Sequence, residues 1–285
     1  MSRPTQAAWM IVAMTLAALA TVIAKSLTEE LGVIQILWLR LALGCLLLWP
    51  LAVATSRRAL PGFSRLHALR AVILIGMTGL WFFALSLGPV GQAAVMSYTY
   101  PVFILVFAAI FFGQKIHAWD VGSLVLSFVG VAIIFSQGWE AGPATARDVL
   151  QICVVLCSSL LIAIRVSIEK VMTASAEPVD ILLGSMMIAT ILVAPVTYLV
   201  WVPVNLHQVL LLTALALTAT IAQLIVIWLV RSGAWSAVSI FAFWEVLAAI
   251  LLAMILFGEM LAPAGAIGAV LIIAGGLILV ARGDG

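Results

Sequence analysis

From Ile181 to Trp201 the chain reads ILLGSMMIATILVAPVTYLVW, without one charged side chain. At ~1.5 Å of rise per residue such a run makes a helix about 30 Å long, the thickness of a bilayer's hydrocarbon core. Apolar and polar residues do not alternate along it, as they would in a membrane barrel strand. Backbone groups in lipid must be paired within the protein, which helices and closed barrels alone achieve. The stretch therefore reads as a transmembrane helix.

Nine further runs share this character: Ala7–Ala24, Val33–Val53, Ala68–Leu87, Ala93–Phe112, Trp119–Ser136, Val149–Glu169, Gln208–Val230, Trp235–Phe257 and Pro263–Ala281. The expected fold is an all-α integral membrane protein of ten transmembrane helices. Composition agrees, since 66% of the 285 residues are hydrophobic and 8% charged, against roughly 45–50% and 25% in soluble domains. The connecting segments are short and often hold Gly or Pro, as in Gly88-Pro89-Val90-Gly91, Trp201-Val202-Pro203 and Ala262-Pro263. Almost no chain is left for a soluble domain, so the function lies within the bilayer. The first run lacks a small-residue cleavage site and reads as a retained helix. Cys45, Cys153 and Cys157 lie inside apolar runs, and no disulfide is expected. The basic residues are scattered over helix ends, which gives no nucleic-acid face.

Those basic residues set the orientation, because positive loops stay in the cytoplasm. Arg57, Arg58, Arg65 and Arg70 crowd the second loop, and Arg3, Lys115, Lys170, Arg231 and Arg282 fall on the same side of a ten-span chain. Lys25 and Arg147 fall opposite. Both termini are expected in the cytoplasm.

The chain also repeats itself. Gly88–Gly138 lies without gaps on Gly233–Gly283, an offset of 145 residues with about ten of 51 positions identical. Phe112-Gly113-Gln114 falls on Phe257-Gly258-Glu259, and Gly130 on Gly275. Five spans separate the copies, so they run in opposite senses across the membrane. Residues 1–138 and 139–285 are expected to form two inverted five-helix repeats, the design of secondary transporters that bind cargo between the repeats and alternate access to it.

In these motifs the sequence resembles the ten-helix EamA-type members of the drug/metabolite transporter superfamily. The resemblance is carried by Arg40 within Leu37-Trp38-Leu39-Arg40-Leu41, by Tyr98-Thr99-Tyr100-Pro101-Val102 followed by Phe112-Gly113-Gln114, and by Trp244-Glu245-Val246 followed by Phe257-Gly258-Glu259. Gln114 stands where the family usually has Glu, Val246 where Pro usually follows Glu, and Thr21 where one metabolite-carrying branch has an acid. The resemblance implies a carrier in a bacterial inner membrane, without a cofactor or metal. One branch exports aromatic amino acids through a cavity lined by aromatics of the third and fourth helices, and Trp81, Tyr98 and Tyr100 stand at matching places.

Ionisable residues at membrane depth usually face a cavity or a partner. Glu245 is the acid nearest the middle of a span. It reads as an ammonium ligand or proton-coupling carboxylate, or alternatively as a packing residue hydrogen-bonded between repeats. Lys25 and Arg40 would hold a substrate carboxylate or act at a gate; snorkelling is the plainer account for Lys25 and a structural carbonyl contact for Arg40. Tyr98 and Tyr100 flank a span interior that also holds Ser97, and Pro101 withdraws a backbone donor there, a natural hinge. The repeat offset sets Tyr98 against Phe243 and Tyr100 against Glu245. Trp81, Ser158, Gln223 and Trp228 complete the candidate wall, as aromatic surface or as neutral polar groups for a cargo's polar end.

Rival classes are weaker. His67, His117 and His207 sit at loops or helix ends, away from the depth at which intramembrane hydrolytic or metal chemistry would need them. A channel builds its pore from symmetric subunits, whereas the symmetry here is internal and inverted. The expected function is export of aromatic or large neutral amino acids or related small metabolites. Import of a bulky nucleoside-like or vitamin substrate is the alternative. The partners are then the cargo and the bilayer, with proton coupling if Glu245 titrates, in a monomer or weak homodimer.

Overall fold

A computed structural model describes residues 3–56, 63–112, 118–137, 145–232, 235–259 and 263–282. Their regular structure is helical: α1 (Arg3–Thr28), α2 (Val33–Ser56), α3 (Arg65–Leu87), α4 (Val90–Ser97), α5 (Tyr100–Phe112), α6 (Ala118–Gln137), α7 (Ala146–Met172), α8 (Pro178–Leu199), α9 (Leu206–Arg231), α10 (Trp235–Phe257) and α11 (Pro263–Arg282). Six of them, α1, α2, α3, α7, α8 and α9, are each long and apolar enough to cross a membrane. Arg57, Arg58, Gly113, Gln114, Lys115, His117, Gly138, Gly233 and Gly283 lie outside the described residues, as do the side chains of Phe243 and Pro101.

Local chemistry sets the helix ends. Thr145 and Asp148 form a reciprocal capping box at the start of α7, and Asn205 and Gln208 form another at the start of α9. Pro178 opens α8, where its missing N–H has no helical partner to lose. Gly258 ends α10 with φ +65°, the left-handed conformation that suits glycine.

The expected fourth span is two helices, α4 and α5, broken at Tyr98 and Thr99. Pro101 has no N–H to give to the Ser97 carbonyl one turn earlier. The ladder tightens to three-residue bonds at the break, Tyr98 N–H to Val95 O at 3.1 Å and Thr99 N–H to Met96 O at 3.2 Å. Ser159 of α7 supplies the missing donor, its Oγ reaching Ser97 O at 3.2 Å. Ser159→Ala would leave that carbonyl unpaired, at an expected cost of about 1–3 kcal/mol in thermal unfolding.

Glu259, just beyond Gly258, caps α4 from the far end of the sequence. Its two carboxylate oxygens accept the N–H groups of Val90 at 2.7 Å and Gly91 at 3.0 Å. Pro89, the residue before α4, offers no side-chain cap of its own. Two charge-assisted bonds at a positive helix end predict a loss of about 2–3 kcal/mol for Glu259→Ala, read by the same unfolding measurement.

The helices pack mainly across the two halves of the chain. α3 lies on α7 and α1 on α9; α1 lies on α10, and α4 and α5 on α7; α3 lies on α8 and α2 on α9. α2 meets α8, α4 meets α10 and α6 meets α11. Gly44 lets α2 approach closely, since a Cβ there would stand 2.3 Å from Met186 Cε and 2.8 Å from Thr220 Oγ1. Polar tethers fix one end of the bundle. The Gln35 amide exchanges two bonds with the Val202 backbone, at 2.7 and 3.1 Å, and Gln208 Nε2 donates to Glu30 at 2.7 Å.

Candidate functional site: a central cavity

A cavity of about 190 Å³ lies among α1, α2, α3, α4, α5, α7, α9 and α10. Small residues of α1, Ala13, Ala17 and Ala20, make room on one side, with Ala219 and Ala222 of α9 beside them. Six of the residues expected from sequence are brought together on its wall: Arg40, Trp81, Tyr100, Ser158, Gln223 and Glu245. Tyr100 reaches it because the break before α5 starts a new helix at that residue. Ser158 Oγ is already committed, donating to Met77 O of α3 at 2.9 Å.

Three expected residues stand elsewhere. Tyr98, in the turn between α4 and α5, is 1% exposed and packed in the core outside the lining. Trp228 packs edge-to-face on Trp9 at 6.5 Å between ring centres, and both are exposed on the outer surface of the bundle. Lys25 neither snorkels free nor lines the cavity. Its Nζ donates to Leu85 O at 2.9 Å and Gly88 O at 3.2 Å, capping the negative end of α3. Arg147 adds a bond to Ser86 O at 2.8 Å, and Gln151 one to Ala84 O at 2.9 Å.

Arg40 likewise departs from the carbonyl contact expected of it. It is 4% exposed, lines the cavity and makes no hydrogen bond or ion pair among the described residues.

Sequence reading missed a buried charge cluster beside the cavity. Arg70, counted there as a loop residue, lies wholly buried in the second turn of α3. Glu169 Oε1 accepts from Arg70 Nε at 3.0 Å, Arg70 Nη2 at 2.5 Å and Arg165 Nη1 at 2.5 Å. Arg165 also lines the cavity and acts electrostatically on Glu245. An arginine and a glutamate four residues apart inside an apolar run were the available signal. At the far end of the bundle, Arg231 forms an exposed two-bond pair with Glu177 and holds its carboxyl below the usual range. So exposed a pair adds little to stability.

This geometry offers binding: aromatic surface, a few polar groups and charges of both signs around one cavity. Residues 5–136 match the EamA-like transporter family. The S-adenosylmethionine uptake transporter of Rickettsia bellii (strain RML369-C) is 23% identical over 95% of this chain and 92% of its own length. The pseudopaline exporter CntI of Pseudomonas aeruginosa (strain UCBPP-PA14) is 24% identical over 70% of this chain and 69% of its own. A solved crystal structure of another protein shares the fold along the whole of both chains, with a TM-score of 0.69 and 18% identity. Residues 5–136 carry an EamA-like transporter domain of the drug/metabolite transporter superfamily, and the relatives that match most of the chain are themselves transporters, so that with its six membrane-length helices the chain is a multi-pass membrane transporter and not an enzyme.

Proposed function

We propose that this transporter is a secondary carrier that moves aromatic or large neutral amino acids, or related small metabolites, outward across a bacterial inner membrane by alternating access. The observation that carries this reading is the cavity itself, which combines the aromatic faces of Trp81 and Tyr100 with Gln223 and the carboxylate of Glu245. Flat cargo would stack on the aromatics while its polar end meets the amide and the acid.

Ten spans in two inverted repeats, residues 1–138 and 139–285, are part of the proposal. The helix pairs support it. An axis relating the halves would turn α3 on α7 into α9 on α1, and α3 on α8 into α9 on α2. It would likewise turn α1 on α10 into α7 on the α4–α5 span. Each repeat then supplies half of the cavity wall, and rocking of one against the other would open it to each side in turn. Pro101, at the α4–α5 break, is the proposed hinge, and α6 with α11 would brace the bundle or join two copies. The orientation with both termini in the cytoplasm belongs to the same proposal.

Import of a bulky metabolite is the second reading, favoured by one observation: the named uptake transporter matches 95% of the chain, and the named exporter 70%. Uptake and efflux in proteoliposomes, scanned over amino acids and S-adenosylmethionine, decide between the two. Proton coupling is tested in the same vesicles. Glu245 shares the cavity wall with Arg165 and Tyr100 and interacts electrostatically with both, and Glu245→Gln is expected to abolish the pH dependence of transport. A variant that kept it would remove Glu245 from any coupling role.

A further inference from the structure

Three residues of the cavity wall each hold a buried side-chain atom with no hydrogen-bond partner among the described residues: Arg40 Nη1, Arg165 Nε and Thr78 Oγ1. The two arginine nitrogens are donors without acceptor capacity, and the hydroxyl can donate. What these three atoms lack is an acceptor within reach. The charges agree. The ionised groups that act on Arg40 are Arg165 and Arg70, both of its own sign. Arg165 commits Nη1 to Glu169, which leaves its Nε edge free, while Lys25 is spent on the end of α3.

A buried guanidinium without a counter-charge is costly to keep. One kept beside a cavity is a candidate contact for a ligand that supplies the missing charge. The planar fork of an arginine matches a carboxylate in geometry as well as in sign. Glu245, in the same cavity, offers the opposite charge that a zwitterion's amine requires.

We infer that Arg40, Arg165 and Thr78 form a carboxylate cradle in the cavity, so that carboxylate-bearing cargo is held and its decarboxylated counterpart is rejected. The inference rests on the carrier reading above and adds to it the group by which cargo is selected. Ser158 is not part of the cradle, because its hydroxyl is tied to Met77 O.

The test uses the full chain in lipid nanodiscs and titration calorimetry with three pairs of probes that differ in the carboxylate alone. These are L-phenylalanine and 2-phenylethylamine, L-tryptophan and tryptamine, and S-adenosylmethionine and its decarboxylated form. The acid of at least one pair is expected to bind about tenfold or more tightly than its amine. Arg40→Gln should bring that acid down to the affinity of the amine and leave the amine unchanged, and Arg40→Lys should restore part of the difference. Thr78→Val, a milder change, should weaken the acid about threefold without touching the amine. Thermal unfolding of the ligand-free protein separates binding from architecture. Arg40→Gln should melt no lower than the parent, because it removes an unpaired buried charge, whereas a structural arginine would take stability with it.

Equal binding of acids and amines, or acids that bind Arg40→Gln as tightly as the parent, would overturn the cradle and leave the carrier reading standing. Binding of neither member of any pair would overturn both the cradle and the proposed cargo class.

Discussion

Glu169→Gln is expected to destabilise the protein by about 3–5 kcal/mol, because it strands two arginines in the interior. Glu169 is 0% exposed; the two Arg70 bonds to its Oε1 join α3 to α7, and the Arg165 bond lies within α7. Removing one member of a buried ion cluster forfeits the attraction but not the cost of keeping the remaining charges from water. Glutamine keeps the shape and some hydrogen-bonding capacity, so the measured loss is chiefly that of the charge. Replacing Arg70, Arg165 and Glu169 together by apolar residues of similar volume should recover most of it. Unfolding in mild detergent checks both results. A Glu169→Gln protein as stable as the parent would show that the cluster is not what holds α3 to α7.

Trp81→Ala is expected to raise the half-saturating concentration of cargo roughly 30-fold, the equivalent of about 2 kcal/mol for an aromatic anchor in a binding cavity. Trp81 stands on the cavity wall. Tyr98→Ala is the control, since the sequence alone places Tyr98 beside Trp81 in one pocket. The structure packs Tyr98 away from the lining, so its loss should cost stability and leave cargo affinity within about twofold. Concentration dependence of transport in proteoliposomes reads both. Equal effects of the two substitutions would contradict the assignment of the wall.

The same pair of residues shows how far the sequence could be read. Uninterrupted apolar runs locate the helices well, because lipid leaves the backbone few choices. Rotation about each helix is harder to read. α3, α5 and α9 are apolar on nearly every face, and periodicity cannot then say which side meets the cavity. Trp81 and Gln223 face inward, while Trp228, five residues beyond Gln223 on α9, faces out to Trp9.

Tyr98 was misplaced for another reason. Pro101 announces a weak point, but whether a proline kinks a helix or divides it depends on a donor from elsewhere. Here the donor is Ser159, 62 positions along the chain. Arg70 falls at the edge of its apolar run and reads with the loop arginines Arg57, Arg58 and Arg65, because the partner that holds it inside, Glu169, lies 99 positions away. Arg40 was legible as an ionisable group at depth. That it has no partner is a property of the packing and not of the sequence.

A cavity open to each side of the membrane in turn, as proposed, makes the protein an exchanger, and proteoliposomes read that exchange. Vesicles preloaded with an unlabelled cargo that the protein accepts are diluted into the same compound bearing a label. An alternating-access carrier returns loaded faster than empty, so labelled entry should be accelerated by cargo inside. Entry at a rate indifferent to internal cargo would mark a continuous pore and contradict the account.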